Sequence, residues 1–329
     1  MALRAVPVTW PEGIVARPIT PGDVQAWADL LAARELVDQG GENYEAADLL
    51  EELADPHLDT EQATIGLWSG EQMVGYAKLH PRTSVVDVDR VDAEGTVHPE
   101  WRRRGVGAAL MRWTIRGAGE QHAATFPDYP GEVRASAKST HDGTIAMLRG
   151  LGFEEARYFY DMKRELDEPV RALETPDGLR LAPFDPTIDE ALRVAHNEAF
   201  RDHWAALPRD PESWKTHVTG SRSFRPEVSY VVLDGDTVAA YALGYEWAAD
   251  TEATGVREVY VGQVGTRREY RGRGLARAAL AKVLAEGARA GYQRASLGVD
   301  ADNPTGALGL YESLGFSVHS KWITFRRAL

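Results

Sequence analysis

The sequence predicts a mixed α/β (α+β) protein made of two copies of one domain, on three grounds. An arginine- and glycine-rich segment occurs twice, as WRRRGVGAAL from Trp101 and as YRGRGLARAAL from Tyr270. A Leu-Gly-Phe triplet comes after each copy, ending at Phe153 and at Phe316. Strand-like and helix-like stretches also alternate in the same order in both halves. Arg102 and Arg271 lie 169 residues apart, and Gly152 and Gly315 lie 163 apart, which fits a short insertion in the first half around Phe126–Pro130. A period of this length marks a duplicated domain and not a solenoid repeat.

Each half opens on a short apolar strand, GIVARPI from Gly13 and GLRLAPF from Gly178, then a polar turn and a helical pattern. Hairpins come next. ATIGLW from Ala63 and MVGYAKL from Met73 flank Ser69-Gly-Glu, while SYVVL from Ser229 and TVAAYALGYEW from Thr237 flank Asp234-Gly. A further strand (GTV from Gly95; VREVYVGQVG from Val256) runs into the glycine segment, and a long helix comes after it. The apolar spacing of Leu275–Ala288 is that of an amphipathic helix. A β-rich stretch (VRASA from Val133; ASLGV from Ala295), a short helix and two closing strands complete each half. The polar, proline-containing stretch Arg164–Asp177 reads as a linker, giving domains 1–170 and 171–329.

Composition narrows the function. The 329 residues carry a net charge of −13, with 43% hydrophobic and 26% charged residues, as in an ordinary soluble globular protein. That balance argues against a nucleic-acid binder, whose affinity rests on a basic face. With no cysteine, disulfides, thiolate metal sites and a cysteine nucleophile are excluded. The N-terminus has no apolar signal core and no run is long enough for a membrane helix. No membrane association and a cytoplasmic location are therefore expected.

A helix N-terminus leaves about four amide N–H groups unpaired and carries a partial positive charge. Glycines that bring such a turn close to a ligand make an anion cradle, which neighbouring arginines deepen. Arg-x-x-Gly-x-Gly/Ala between strand and helix therefore suits a pyrophosphate. No Gly-Lys-Ser/Thr follows, so it is not a Walker A loop, and Leu110 and Arg277 spoil a dinucleotide-binding fingerprint.

Thr266–Ala276, followed by NPTGALGLYESLGF from Asn303, resembles the GNAT acyl-CoA-dependent N-acetyltransferases, and Val97–Gly107 is a similar first copy of the pyrophosphate segment. The resemblance covers both halves. It implies tandem GNAT folds, each a mixed, mostly antiparallel sheet flanked by helices with splayed parallel central strands. It also implies acetyl-CoA as the acyl donor. The amides of Arg271, Gly272, Arg273, Gly274, Leu275 and Ala276 would bind the pyrophosphate. Backbone groups of Val264, Gly265 and Thr266 would pair with the pantetheine, which Asn303 would also contact. In the first half, Val97, Arg102, Arg103, Arg104, Gly105 and Gly107 form the corresponding cradle.

Transfer to an amine needs loss of an ammonium proton, donors for an oxyanion and a proton for the leaving thiolate. By the resemblance, Tyr311 is the acid at sulfur, since a phenol of pKa about 10 stays protonated at neutral pH. Its counterparts in the first half are Leu148, for Tyr311, and Thr140, for Asn303, so the C-terminal half is expected to be catalytic and the N-terminal half degenerate. For the base, Glu258 and Tyr260 are candidates on one strand face with Gly262, Val264 and Thr266; a strand carboxylate paired with an arginine is the competing account of Glu258. His203 and Trp204 fall where the acceptor wall forms in this fold, or they pack in the interior. The acidic run Asp87–Glu94 has His98 where a calcium loop needs a carboxylate, and no His-Glu-x-x-His occurs, so no metal is expected.

The expected activity is acetyl transfer to a primary amine of a small molecule by a monomer or homodimer. Alternatives are a protein or peptide acceptor, a longer acyl chain, or a CoA-binding protein without turnover.

Overall fold

The computed structural model describes residues 8–329 except 81, 169, 171, 172, 174, 202 and 303–305. It divides into two units. The first runs to Arg157 and includes Trp322–Leu329; the second is Tyr158–Lys321.

In chain order, the first unit contains β1 (Val15–Arg17), α1 (Val24–Asp38), α2 (Ala46–Leu53), α3 (Thr60–Ala63), β2 (Thr64–Ser69), β3 (Gln72–His80), β4 (Asp89–Val97), α4 (Val106–Thr125), β5 (Gly131–Lys138) and α5 (Asp142–Gly150). Strand β6 (Glu154–Glu165) comes after them. The second unit contains β7 (Arg180–Pro183), α6 (Asp189–Ala199), α7 (Pro211–Trp214), β8 (Phe224–Asp234), β9 (Thr237–Tyr245), α8 (Ala248–Thr254), β10 (Glu258–Thr266), α9 (Leu275–Arg289), β11 (Arg294–Asp300) and α10 (Ala307–Ser313), and the chain ends in β12 (Ser317–Ala328).

The two sheets share one plan. In the first unit β1, β2, β3 and β4 pair in turn antiparallel, β4 and β5 pair parallel, and Trp322–Ala328 of β12 pairs antiparallel with β5. In the second, β7 to β10 pair antiparallel, β10 and β11 parallel, and Phe159–Glu165 of β6 antiparallel with β11. The repeat read from sequence is thus a repeat of topology. The division differs from the expected cut at 170/171, because the last sheet strand of each unit is supplied from beyond the simple halves. Arg164 and Glu165, expected in the linker, are strand residues paired with Ala295 and Arg294.

Alternation explains the second unit's layers. On β9, Ala240 and Ala242 pack with Val259 and Val261 against Leu280, Val283 and Leu284 of α9. Tyr241, Leu243 and Tyr245 point to the other face, against Leu192 and Ala195 of α6 and Trp214. Such a strand is buried on both sides, which is why the Thr237–Tyr245 run is apolar almost throughout. In the first unit Trp27, Leu30 and Leu31 of α1 and Leu49 and Leu53 of α2 cover Met73 and Tyr76.

The acidic run Asp87–Glu94 is mostly strand. Asp89 meets His122 at 2.8 Å, Asp92 meets Arg134 at 2.7 Å and Glu94 meets Lys78 at 3.0 Å. These strand carboxylates are thus answered by basic side chains across the sheet or on the covering helix.

Candidate active site

The parallel ladder between β10 and β11 joins Glu258 to Arg294, Val259 to Ala295 and Tyr260 to Ser296, and it ends there. Both strands continue, β10 to Thr266 and β11 to Asp300. Beyond Tyr260 the β10 edge that faces away from β9 therefore has no strand partner among the described residues. Unpaired strand edges carry backbone donors and acceptors for which an extended ligand arm can substitute. The same ladder in the first unit ends at Ala93 and Ala135.

Beside this gap β10 bulges. Val261 pairs with Gly244 and Gln263 with Leu243, leaving Gly262 as the extra residue. A bulge bends the strand and re-aims the residues after it. The period of two predicts one face for Glu258, Tyr260, Gly262, Val264 and Thr266. The bulge breaks that phase. Tyr260 packs on the α6 side, whereas Val264, paired with Ala242, packs on the α9 side. Glycine is required at 262, since a Cβ there would stand 2.7 Å from the Tyr245 ring.

At the end of β10 the chain makes a short turn and enters α9. Gly272 and Gly274 have φ of +76° and +75°, the left-handed region that favours glycine. Gly274 is the N-cap of α9 and supplies no side chain to the first-turn amides, so Leu275, Ala276 and Arg277 begin the helix with uncapped N–H groups. Among the described residues nothing lies within 4 Å of a Cβ built on either glycine, so the cradle is open. The first unit reproduces the shape. Gly105 caps α4 at φ +82°, and Arg103, the counterpart of Gly272, adopts φ +63° although it has a side chain.

The arginines are placed differently from expectation. Arg271 donates to the Thr266 carbonyl at 3.4 Å and the Ala199 carbonyl at 3.0 Å, bracing the end of β10 to the end of α6. Arg102 likewise donates to the Val97 carbonyl at 3.2 Å and grips Asp38 through two bonds of 2.7 Å. Arg273 and Arg104 lie over the rings of Tyr270 and Trp101, at 5.7 and 5.0 Å. The guanidinium of Arg271 is thus engaged by backbone carbonyls at the ends of β10 and α6.

Tyr311, on α10, is 8% exposed and meets Phe316 edge-on. Burial, with a smaller effect of Tyr260, pushes its phenol up to about 12. Tyr260 stands at the end of the ladder, and a Cβ at Gly298 would lie 3.3 Å from its hydroxyl. The Tyr260 phenol is close enough to act on Tyr311 electrostatically, although Tyr260 packs on the α6 side and Tyr311 in the core on the α9 side. In the first unit the place of Tyr311 is taken by Leu148, 1% exposed.

Glu258 stands two residues inside the ladder. Arg294 Nε and Ser296 Oγ donate to its two oxygens, and Lys163 Nζ lies 3.8 Å away. Asn303 lies outside the described residues. His203 lies tilted against Phe200, ring centres 4.8 Å apart, and Trp204 tilted against Phe159 at 6.3 Å. A polar pair on the α6 face has no counterpart in the sequence reading. Tyr241 Oη and His196 Nδ1 share a hydrogen bond of 2.9 Å, and a Cβ at Gly265 would collide with that phenol. Burial, helped by Arg209 and His203, drives His196 down to about 3, so the imidazole is neutral. Only the apolar run around Tyr241 is visible in sequence; its partner lies 45 residues away.

Among the described residues no group of three or more histidine or acidic side chains is set to hold a metal, and no helix is long and apolar enough to cross a membrane.

Comparison with known proteins shows the family. The Acetyltransferase (GNAT) family matches at residues 26–153 and again at 190–316. A mycothiol acetyltransferase of Salinispora arenicola is 31% identical over 92% of this chain and 93% of its own length. Another, from Thermobispora bispora, is 32% identical over 79% and 82%. A GCN5-related N-acetyltransferase from Sphaerobacter thermophilus superposes with a TM-score of 0.76 at 27% identity, covering 97% of both chains. A tandem GNAT protein from the clavulanic acid biosynthesis pathway shares the fold, with a TM-score of 0.72 at 18% identity over 96% of this chain and 98% of its own. Matched twice along its length, the chain belongs to the GNAT family of acetyl-CoA-dependent N-acetyltransferases.

Proposed function

We propose that the second unit acetylates a primary amine of a small molecule by direct attack of the amine on the thioester of acetyl-CoA. The observation that carries this reading is that the open edge of β10 runs directly into the uncapped start of α9. The α9 amides and the turn at Gly272–Gly274 hold the pyrophosphate. Val264 to Thr266 offer backbone groups to the pantetheine, and the bulge at Gly262 turns the neighbouring amides toward the thioester oxygen. Tyr311 keeps its proton at neutral pH and gives it to the departing thiolate.

Glu258 does not receive the amine's proton in this scheme, because both its oxygens accept from Arg294 and Ser296. Its charge holds the ladder on which Tyr260 is mounted. Tyr260 orients the amine, which loses its proton to solvent. The small acceptor rests on the mycothiol acetyltransferase relatives, whose names point to a small-molecule substrate.

The test is CoA thiol release over a panel of amines. Release should occur with at least one small primary amine, and the acid limb of the pH–rate profile should track that amine's own pKa. An acid limb that stays fixed as the amine is varied would point to an enzyme base and contradict the scheme.

A further inference from the structure

Two glycines of β10 lie under tyrosines of β9. A Cβ at Gly262 would stand 2.7 Å from the Tyr245 ring, and one at Gly265 would collide with the Tyr241 hydroxyl. Gly265 and Tyr241 face each other in the ladder. The Tyr241 ring therefore fills the space of a missing side chain, over the strand whose far edge has no strand partner here among the described residues. An aromatic ring laid across a strand glycine shields and stiffens backbone that is otherwise loose.

The hydroxyl end of that ring is fixed from α6. Tyr241 is fully buried and His196 nearly so, and Tyr241 Oη and His196 Nδ1 stand 2.9 Å apart. His196 stacks on Phe200 with ring centres 4.5 Å apart and lies against Trp214 at 5.1 Å, so packing sets the plane of the imidazole. Both partners are uncharged at neutral pH, because burial lowers the imidazole to about 3 and pushes the phenol well above its ordinary value. A phenylalanine against a leucine would serve packing alone equally well.

The end of α6 is tied to the same stretch of chain. Glu198 accepts from Arg267 Nε at 2.7 Å and from the Arg268 amide at 3.3 Å, and Arg271 donates to the Ala199 carbonyl at 3.0 Å. Tyr241, Glu198 and Ala199 thus fasten the segment between the open edge of β10 and the turn into α9.

The first unit serves as an internal control. Its turn Thr20-Pro21 matches Asp185-Pro186, 165 positions later, and Tyr76 stands 165 positions before Tyr241. At the same spacing His196 is replaced by Leu31, buried on α1. The residue paired with Tyr76 across the ladder is Thr96, not glycine. The unit that lacks the Tyr311 phenol therefore lacks the histidine and the glycine as well, yet it keeps the same strand pairing. The pair goes with the chemistry and not with the fold.

With the β10 edge taking acetyl-CoA as proposed above, we infer that Tyr241, oriented by His196, is a positioning residue for the acyl donor. It holds the Gly265 backbone at the register in which the β10 edge meets the pantetheine arm.

Single-turnover acetyl transfer by the full chain, to a small amine that supports CoA release, gives half-saturation by acetyl-CoA and competitive inhibition by ADP. ADP carries a pyrophosphate but no pantetheine, so it reads the cradle alone. Tyr241→Phe keeps the ring and removes the hydroxyl, and His196→Leu removes the acceptor nitrogen. Each should raise half-saturation by acetyl-CoA roughly fivefold and leave inhibition by ADP within about twofold of wild type. The double variant should be no worse than the worse single one. A merely structural role would weaken both ligands together, or neither. Unmoved half-saturation in the folded variants, or inhibition by ADP lost in step with acetyl-CoA, would overturn the inference. Should His196→Leu fail to melt cooperatively, Tyr241→Phe decides. Wild type that transfers no acetyl group to any amine would instead overturn the proposed reaction, and this inference with it.

Discussion

Glu258 and Glu246 show how similar carboxylates take their roles from their partners. With both oxygens of Glu258 accepting from Arg294 and Ser296, Glu258→Gln should lower stability while leaving the shape of the pH–rate profile intact. Loss of the acid limb in that variant would restore Glu258 as base. Glu246 pairs with Arg257 at 2.7 Å, Tyr292 at 2.7 Å and Arg225 at 3.0 Å. Burial opposes its charge, but these three outweigh it and hold it at about 2. A depressed carboxylate contributes stability that is present above its ordinary value of 4.5 and is lost as pH falls toward 2. The contribution is at most roughly 3 kcal/mol. Melting of the wild type should therefore weaken from about pH 5 to 2 more steeply than that of Glu246→Gln; parallel curves would contradict this.

Among the elements, the turn into α9 has the sharpest consequence for binding. Gly274→Glu puts a carboxylate and a strained φ at the open turn proposed to hold the pyrophosphate. Acetyl-CoA affinity of the second unit should fall about tenfold or more. Gly235→Glu, also at positive φ with open space around it, is the control for strain alone and should keep its affinity. Equal losses in the two variants would sink the cradle assignment. The turn was legible in sequence because glycine spacing reports backbone conformation directly. Arg103 was less legible, since an arginine in the left-handed region, at a cost of about 1–2 kcal/mol, leaves no mark in composition. The bulge at Gly262 was illegible for a related reason. One extra residue shifts every later side chain to the other face, and only the register with β9 shows it.

Across the chain, the duplication and the order of strands could be read from Arg102, Arg271, Leu148 and Tyr311. The units themselves could not, because strand pairing between distant segments has no local signature. Phe325 is fully buried and belongs, with Trp322–Ala328, to the sheet of the first unit. A fragment of residues 1–170 therefore leaves the β5 edge bare, an aggregation hazard, and should show no cooperative melting transition. A monomeric fragment that melts sharply would restore the simpler cut. Tyr241 and His196 teach the same lesson, as a polar pair joined across 45 residues inside an apolar cluster.

The chemistry of the second unit, with Tyr311 as the acid, stands or falls on one comparison. Single-turnover acetyl transfer is measured for wild type and Tyr311→Phe at saturating acetyl-CoA, with the affinity for acetyl-CoA determined alongside. The variant's rate should be about 100-fold or more below wild type, with acetyl-CoA affinity nearly unchanged. A Tyr311→Phe enzyme that transfers acetyl groups at the wild-type rate would contradict the assignment.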